Sequence, residues 1–280
     1  RLLVPTDFSP TAERAFRIAL DLAQRAKASI VLYHTYAPME SSFVGVEETR
    51  KQYNAQAEVN IAKKLQRLKK KVAGDAGGVV VSTVVGHTPI IDNILGFAEH
   101  NHIDLIVMGT QGGSGLKKTI IGSVAARIIE NSDLPVLLVP EKFELMIPKH
   151  FVYATNFSSA DKRALQTVGE MAKLYEAQIT VLHLGTVYTT EVEKEKDKKD
   201  FDTYALHLQK ELNEFKIKFH MLEVSSVSKT MEELDKKIPY DVMSMLRRKK
   251  TFFEKFFLKS FTQNMAYVTS KLLLIIPEEE

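Results

Sequence analysis

The sequence predicts an α/β protein made of two tandem, doubly wound domains of the Rossmann-like kind. Strand-like segments alternate with helix-like segments along the whole chain. The strand-like segments are continuous apolar runs, which are typical of parallel strands buried on both faces. The second half of the chain repeats the first with a period of about 140 residues, and a repeat of that size indicates duplication of a whole domain.

The first half shows the elements of one such domain in order. The apolar run Leu2–Val4 ends at Pro5 and is followed by Ser9 and Pro10, which are residues preferred at the N-cap and first position of a helix. Apolar residues then recur at helical spacing to about Ala26. The other predicted elements are strand Ile30–Tyr33, a charged helix from Glu47 to Val72, strand Val79–Val85 with a turn at Gly86, helix Ile90–His100, strand Leu105–Met108, a helix over Val124–Ile129 and strand Val136–Val139.

The repeat is visible as matching residues at constant offsets. The segment 151–165, FVYATNFSSADKRAL, matches LLVPTDFSPTAERAF at 2–16. Matching pairs 149 residues apart are Thr6 with Thr155, Phe8 with Phe157 and His34 with His183, and pairs 137 residues apart are Asp104 with Asp241 and Pro140 with Pro277. The second half therefore lacks 12 residues between its second and fourth strands. We predict domains at residues 1–143 and 149–280.

Composition narrows the classes of protein. The net charge of +3 is too small to indicate DNA as a partner, and the absence of cysteine excludes disulfides, thiolate metal sites and thiol nucleophiles. No apolar run approaches the roughly 20 residues that a membrane span needs, and no signal peptide is visible. These features favour a cytoplasmic protein.

The segment after the strand Leu105–Met108 is rich in glycine. Gly109 allows a sharp turn, and Gly112 removes a side chain where phosphates could approach the backbone. Gly122 and Ser123 then place backbone N–H groups and a hydroxyl at the start of a helix. This pattern favours a phosphate-binding loop, but spacing alone leaves open a flexible loop followed by an ordinary helix cap.

Three polar or glycine positions follow predicted strands of the first half. Asp7, Thr35 and Gly109 each lie just past a strand, and ligands of parallel sheets bind at the carboxyl ends of the strands. Asp7 is either a carboxylate for a ribose or a metal, or a cap of the following helix. No Ser-His-Asp set, metal-ligand spacing or Walker loop stands out, so we predict no catalytic residue and no protein-held metal.

The motifs VPTDFS at 4–9, DLIVMGTQG at 104–112 and GSVAARIIENSDLPVLLVP at 122–140 resemble those of the universal stress protein family. The resemblance implies five-stranded, mostly parallel sheets of the adenine-nucleotide alpha-hydrolase-like kind, and binding of ATP or a related adenine nucleotide, which can carry Mg. It implies that Asp7 contacts the ribose and Thr35 lies beside the adenine. The full set of implied nucleotide-binding residues is Pro5, Thr6, Asp7, Thr35, Met108, Gly109, Gly112, Gly122, Ser123 and Val124.

The second half departs from this pattern at each informative position. Asn156 replaces Asp7, Leu246 replaces Gly109, Lys249 replaces Gly112 and Lys259 replaces Gly122. We therefore predict that the second domain does not bind ATP in the family's manner. The resemblance also implies that the last strands of the two domains pair in an intramolecular pseudo-dimer, and we expect the chain to form a homodimer.

The segment 247–259, RRKKTFFEKFFLK, stands in place of the second glycine loop. It is either a basic, aromatic surface for an anionic partner or a set of buried phenylalanines with solvated cations, and the second interpretation is favoured. The sequence as a whole predicts a nucleotide-dependent regulator or adaptor with an unidentified protein partner. The alternatives are a slow ATPase or phosphotransferase and a ligand-free scaffold that uses segment 247–259.

Overall fold

The computed structural model describes residues 1–40, 47–74, 78–110, 121–144, 146–185, 190–223, 236–247 and 270–278. The chain divides into two compact units, Arg1–Glu141 and Lys142–Glu280. Each unit is an α/β structure with five parallel strands, which confirms the predicted fold class.

The first unit contains five strands and four helices within the described residues. They are β1 (Leu2–Pro5), α1 (Pro10–Ala26), β2 (Ile30–Tyr36), α2 (Glu47–Ala73), β3 (Val81–His87), α3 (Ile90–His100), β4 (Leu105–Gly109), α4 (Ser123–Asn131) and β5 (Val136–Val139). The strands are parallel and lie in the order β3-β2-β1-β4-β5. The chain direction across the sheet reverses between β1 and β4, and ligands of such sheets bind where this reversal leaves a crevice at the carboxyl ends.

Local sequence explains where α1 begins and ends beside this edge of the sheet. Ser9 is the N-cap, and its side chain accepts a hydrogen bond from the backbone N–H of Ala12 at 3.2 Å. Pro10 follows in the first turn, where its missing N–H costs nothing. At the other end Lys27 adopts a left-handed conformation with φ of 50° and closes the helix onto the carbonyl of Ala23. The predicted cap and helix are therefore confirmed.

The third strand differs from its predicted position. It spans Val81–His87, so the expected start at Val79 and the expected turn at Gly86 are both wrong. Gly86 pairs with Thr35 inside the sheet. A Cβ atom at Gly86 would lie 2.1 Å from the hydroxyl oxygen of Tyr33, so the glycine makes room for a neighbouring tyrosine and does not bend the chain.

The second unit repeats the same topology. Its described elements are β6 (His150–Thr155), α5 (Asp161–Leu174), β7 (Gln178–Gly185), α6 (Glu191–Glu211), β8 (Ile217–Glu223), β9 (Val242–Arg247) and β10 (Leu272–Pro277). The strands are parallel in the order β10-β9-β6-β7-β8. Helix α6 has 21 residues against 27 in α2, so part of the 12-residue difference falls in this helix. Among the described residues, no helix combines the length and apolarity needed to cross a membrane.

The repeated aspartates Asp104 and Asp241 tie neighbouring strands together. The carboxylate of Asp241, just before β9, accepts hydrogen bonds from the backbone N–H groups of Lys149 at 2.7 Å and His150 at 3.1 Å. The carboxylate of Asp104, just before β4, contacts the backbone nitrogen of Arg1. Each unit thus uses an aspartate before its fourth strand to hold the start of its first strand.

Glu13 links α1 to α2 and should make stability depend on pH. It accepts hydrogen bonds from Arg17 at 2.9 Å and Lys71 at 2.6 Å. Burial alone would raise the pKa of Glu13, but these two cations lower it below its ordinary value of 4.5. A lowered pKa stabilises the fold above the unfolded-state value, and this contribution disappears as the pH falls through the folded-state value.

We therefore expect Glu13→Gln to lower the free energy of unfolding by about 0.5–1 kcal/mol at pH 7, because both cations are partly exposed. The difference from the unsubstituted chain should begin to shrink below about pH 4.5 and should be lost as the pH falls through the lowered folded-state pKa of Glu13. Urea denaturation at several pH values would measure it, with the exposed Glu99→Gln as the matched control. A difference that stays constant down to pH 3 would contradict this prediction.

Candidate functional site

The predicted site residues of the first unit come from the ends of neighbouring elements. Pro5 ends β1, Met108 and Gly109 end β4, and Thr35 lies near the end of β2. Pro5 pairs with Tyr33 of β2, so Thr35 lies two residues beyond this pairing, on the side of the sheet edge where Asp7 follows β1. The structure therefore brings the described members of the predicted set to one edge of the sheet, at the β1–β4 reversal.

Asp7 lies in a short loop whose backbone is held by hydrogen bonds. Its Oδ1 atom accepts a bond from the backbone N–H of Ser9 at 3.0 Å, and the hydroxyl of Thr6 accepts one from the N–H of Phe8 at 3.1 Å. The helix cap is Ser9, so the interpretation of Asp7 as that cap is wrong. Asp7 is exposed, whereas Thr6 is buried. The loop thus exposes a carboxylate on a backbone that hydrogen bonds hold in place.

The N-terminus of α4 faces the same edge. Gly122 is its N-cap, with φ of −66° and ψ of 158°, and a glycine supplies no side-chain cap. The backbone N–H of Gly122 donates to the carbonyl of Thr110 at 2.6 Å, which fixes the start of α4 beside the end of β4. The first N–H groups of a helix lack partners within the helix, and the first turn of α4 carries no acidic residue. This arrangement suits an anion.

Packing at the end of β4 leaves little room for a side chain at Gly109. A Cβ atom at this position would lie 2.8 Å from Cγ2 of Thr11 and 3.2 Å from the backbone carbonyl carbon of the same residue. The first turn of α1 therefore lies directly against the end of β4. The sequence pattern attributed Gly109 to a turn, whereas the structure places it in the last position of the strand.

We expect Gly109→Ala to destabilise the chain by about 1–3 kcal/mol, because the added methyl group overpacks this contact. The double variant Gly109→Ala with Thr11→Ser should recover part of the loss, since it removes the methyl group that lies nearest. Urea denaturation of both variants and of Thr11→Ser alone would measure this. Equal stabilities for Gly109→Ala and the unsubstituted chain would show that the contact is not restrictive.

A polar cluster that the sequence did not indicate lies at the ends of β2 and β3. The hydroxyl of Tyr36 donates to Glu58 of α2 at 2.7 Å, and Nε2 of His87 lies 3.1 Å from the same carboxylate oxygen. Partial burial and the Glu58 carboxylate raise the pKa of Tyr36 to about 12, so this hydroxyl remains a donor at neutral pH. The cluster joins α2 to the sheet next to Thr35.

Several predicted positions lie outside the described residues. They are Gly112 of the glycine loop, Lys249 and Lys259 of the second unit, and all of segment 247–259 except Arg247. Among the described residues, no group of three or more histidine, aspartate or glutamate side chains is placed to hold a metal ion.

The second unit has a buried polar cluster beside β6 that the first unit lacks. The carboxylate of Asp161 accepts hydrogen bonds from the hydroxyls of Tyr153 and Tyr204, each at 2.6 Å, and also from the hydroxyl of Thr155. The backbone N–H of Ser158 donates to it at 3.0 Å. Burial and the charge of Asp161 raise the pKa of Tyr204. We call these five residues the Asp161 cluster.

The two units carry different side chains at the positions of this cluster. Asp161 stands where the repeat places Ala12, and Tyr153 where it places Val4. Tyr204 of α6 lies over Phe157, with ring centroids 5.2 Å apart, whereas Lys64 of α2 lies over Phe8 at 5.8 Å from the ring centroid. Among the described residues, the second unit thus holds α6 with partly buried hydrogen bonds of Tyr204, where the first unit has the Lys64 contact.

Comparison with known proteins identifies a family for both halves. The profile of the universal stress protein family matches residues 1–140 and again residues 148–277. Universal stress protein MJ0531 of Methanocaldococcus jannaschii is 34% identical over 140 residues, which is 50% of this chain and 81% of that protein. Universal stress protein MJ0577 of the same organism is 30% identical over 156 residues, 51% of this chain and 95% of that protein.

Solved structures agree with the fold of the whole chain. A universal stress protein from Archaeoglobus fulgidus DSM 4304 has a TM-score of 0.63 at 16% identity. The match covers 100% of this chain and 96% of that chain. A protein described as a putative universal stress protein from Pseudomonas aeruginosa UCBPP-PA14 has a TM-score of 0.61 at 13% identity, with 99% of this chain and 92% of that chain covered. At these identities the likeness concerns the fold.

Proposed function

Because this chain belongs to the universal stress protein family, as a tandem two-domain member, we propose that its first unit binds ATP or a related adenine nucleotide. The observation that carries this proposal is the placement of an exposed Asp7 and of the N-terminus of α4 at the carboxyl edge of the sheet, at the β1–β4 reversal. A carboxylate and the first N–H groups of a helix suit the two polar parts of a nucleotide, its ribose hydroxyls and its phosphates.

Each residue then has a role set by its place. Asp7 accepts hydrogen bonds from the ribose, and Thr35 borders the adenine. Ser123 and Val124 offer backbone N–H groups to the phosphates, with the Ser123 hydroxyl exposed beside them. Met108 and Gly109 form the floor between these regions, and Pro5 and Thr6 shape the wall that carries Asp7. The first turn of α4 carries no acidic residue, so an accompanying Mg ion would be held by the phosphates.

The second unit does not share this role in the proposal. Asn156 is exposed where the first unit has Asp7, and Leu246, one residue before the end of β9, stands where the first unit has Gly109. An amide is a weaker acceptor than a carboxylate for ribose hydroxyls, and a leucine occupies space close to the backbone. We therefore expect one nucleotide per chain.

Nucleotide occupancy of the first unit would act as a signal, so that the chain works as a regulator or adaptor for a protein partner. Native mass spectrometry of the freshly purified full-length chain, followed by calorimetric titration with ATP, tests the binding step. The expected result is one adenine nucleotide per chain, with affinity lost in Asp7→Ala. Steady ATP turnover that Asp7→Ala and Gly122→Val both abolish would instead assign an enzyme. Absence of binding would leave a scaffold role.

A further inference from the structure

His34 lies directly behind the loop that carries Asp7. Its Nδ1 atom is 2.6 Å from the carbonyl oxygen of Thr6. A carbonyl oxygen only accepts hydrogen bonds, so Nδ1 carries the proton and donates. The carbonyl belongs to the peptide group that joins Thr6 to Asp7. The histidine therefore fixes the orientation of the peptide group that precedes Asp7.

His34 also contacts the residue on the other side of Asp7. The ring of Phe8 lies 4.6 Å from the His34 ring, measured between centroids. Phe8 has φ of 64°, a left-handed conformation that is unfavourable for a residue other than glycine. The hydrogen bond from its N–H to the Thr6 hydroxyl and the tilted ring contact with His34 hold this conformation. One histidine thus supports both neighbours of the candidate ribose ligand.

The second unit contains the same arrangement around a different residue. Nδ1 of His183 lies 3.2 Å from the carbonyl oxygen of Thr155, and its ring lies 4.2 Å from that of Phe157. In addition, Nε2 of His183 lies 3.1 Å from a carboxylate oxygen of Asp197. The residue held there is Asn156, so the same support acts on an amide. The duplication therefore supplies an internal control for a role in nucleotide binding.

We propose that His34 is a positioning residue of the nucleotide site, which holds the Asp7 carboxylate where it meets the ribose hydroxyls. This inference rests on the proposed function of the first unit. It assigns to His34 an effect on recognition of the ribose in particular. A histidine that only stabilised the fold would affect all parts of a bound nucleotide to the same degree.

The test compares ATP with 2′,3′-dideoxy-ATP, which lacks both ribose hydroxyls, by calorimetric titration of the full-length chain. The unsubstituted chain should prefer ATP by about 10- to 100-fold, the usual contribution of hydrogen bonds to a charged group. In His34→Leu this preference should fall to about threefold or less, while the affinity for the dideoxy analogue stays within about twofold. His34→Gln should behave like His34→Leu, because its amide lies beyond the Nδ1 position.

Two further variants serve as controls. His34→Asn places an amide N–H near the position of Nδ1 and should keep most of the preference for ATP. His183→Leu removes the matching histidine of the second unit and should leave both affinities unchanged. Thermal melting of each variant shows whether it is folded, and His34→Gln keeps the test available if His34→Leu does not fold.

Three outcomes would overturn the inference. They are an equal loss of affinity for ATP and its dideoxy analogue in His34→Leu, an unchanged preference in that variant, and a loss in His34→Asn as large as in His34→Leu. Failure of the unsubstituted chain to bind ATP would be a different result, because it would refute the proposed function itself.

Discussion

Gly122→Asp should reduce the affinity for ATP by about 100-fold or more, without loss of stability. The substitution places a carboxylate at the N-cap of α4, where the phosphates are expected to bind. Two unit charges about 4 Å apart repel each other by about 1 kcal/mol in water and about 4 kcal/mol near a protein surface. The new carboxylate would also accept hydrogen bonds from the N–H groups that the phosphates use.

The backbone at Gly122 accepts this change. Its φ of −66° and ψ of 158° are in the extended region, which residues with side chains adopt freely. Aspartate is among the preferred N-cap residues, so the fold should be as stable as before or slightly more stable. A drop in nucleotide affinity would then not be an effect of unfolding.

Gly122→Asn is the matched control, because asparagine has nearly the same size and the same preference for the N-cap but no charge. It should lower the affinity for ATP by about tenfold or less, since only the space and the capping bonds are affected. Isothermal calorimetry gives the affinities, and thermal melting gives the stabilities. Binding of ATP by Gly122→Asp with unchanged affinity would place the phosphates somewhere other than the start of α4.

Asp161→Ala should destabilise the second unit by about 3–5 kcal/mol, because it leaves two buried hydroxyl groups and one partly buried hydroxyl group without their common acceptor. Asp161 is 2% exposed, and Tyr153 and Thr155 are buried with it. Asp161→Asn keeps one oxygen as an acceptor and should cost less, about 1–3 kcal/mol. Tyr204→Phe removes a single donor and should cost about 1 kcal/mol.

Urea denaturation of the full-length chain would measure these differences, with tyrosine fluorescence as the signal because the chain has no tryptophan. Asp200→Ala, which alters an exposed aspartate on α6, is the matched control and should stay within about 0.5 kcal/mol. The affinity of the first unit for ATP should not change in Asp161→Ala at temperatures where the chain remains folded. A cost below about 1 kcal/mol for Asp161→Ala would mean that water replaces the carboxylate.

The sequence was sufficient for the architecture because apolar runs and their spacing report directly on burial. Continuous runs such as Val136–Val139 predicted parallel strands, and Ser9 with Pro10 predicted the start of α1. Constant offsets between matching residues predicted the duplication, and comparison of the two copies showed that only the first keeps Asp7 and Gly109. These properties depend on local chemistry and on repetition, and both can be read from the sequence.

The tertiary structure decided what individual residues do when their partners are distant in sequence. Gly86 and Gly109 are glycines because Tyr33 and Thr11 lie against them, whereas the sequence pattern indicated turns. His34 could be recognised as a repeated residue, but only the fold shows that it holds the peptide before Asp7. The Asp161 cluster joins β6, α5 and α6. No periodicity records such contacts, because they arise only when the sheet brings separate elements together.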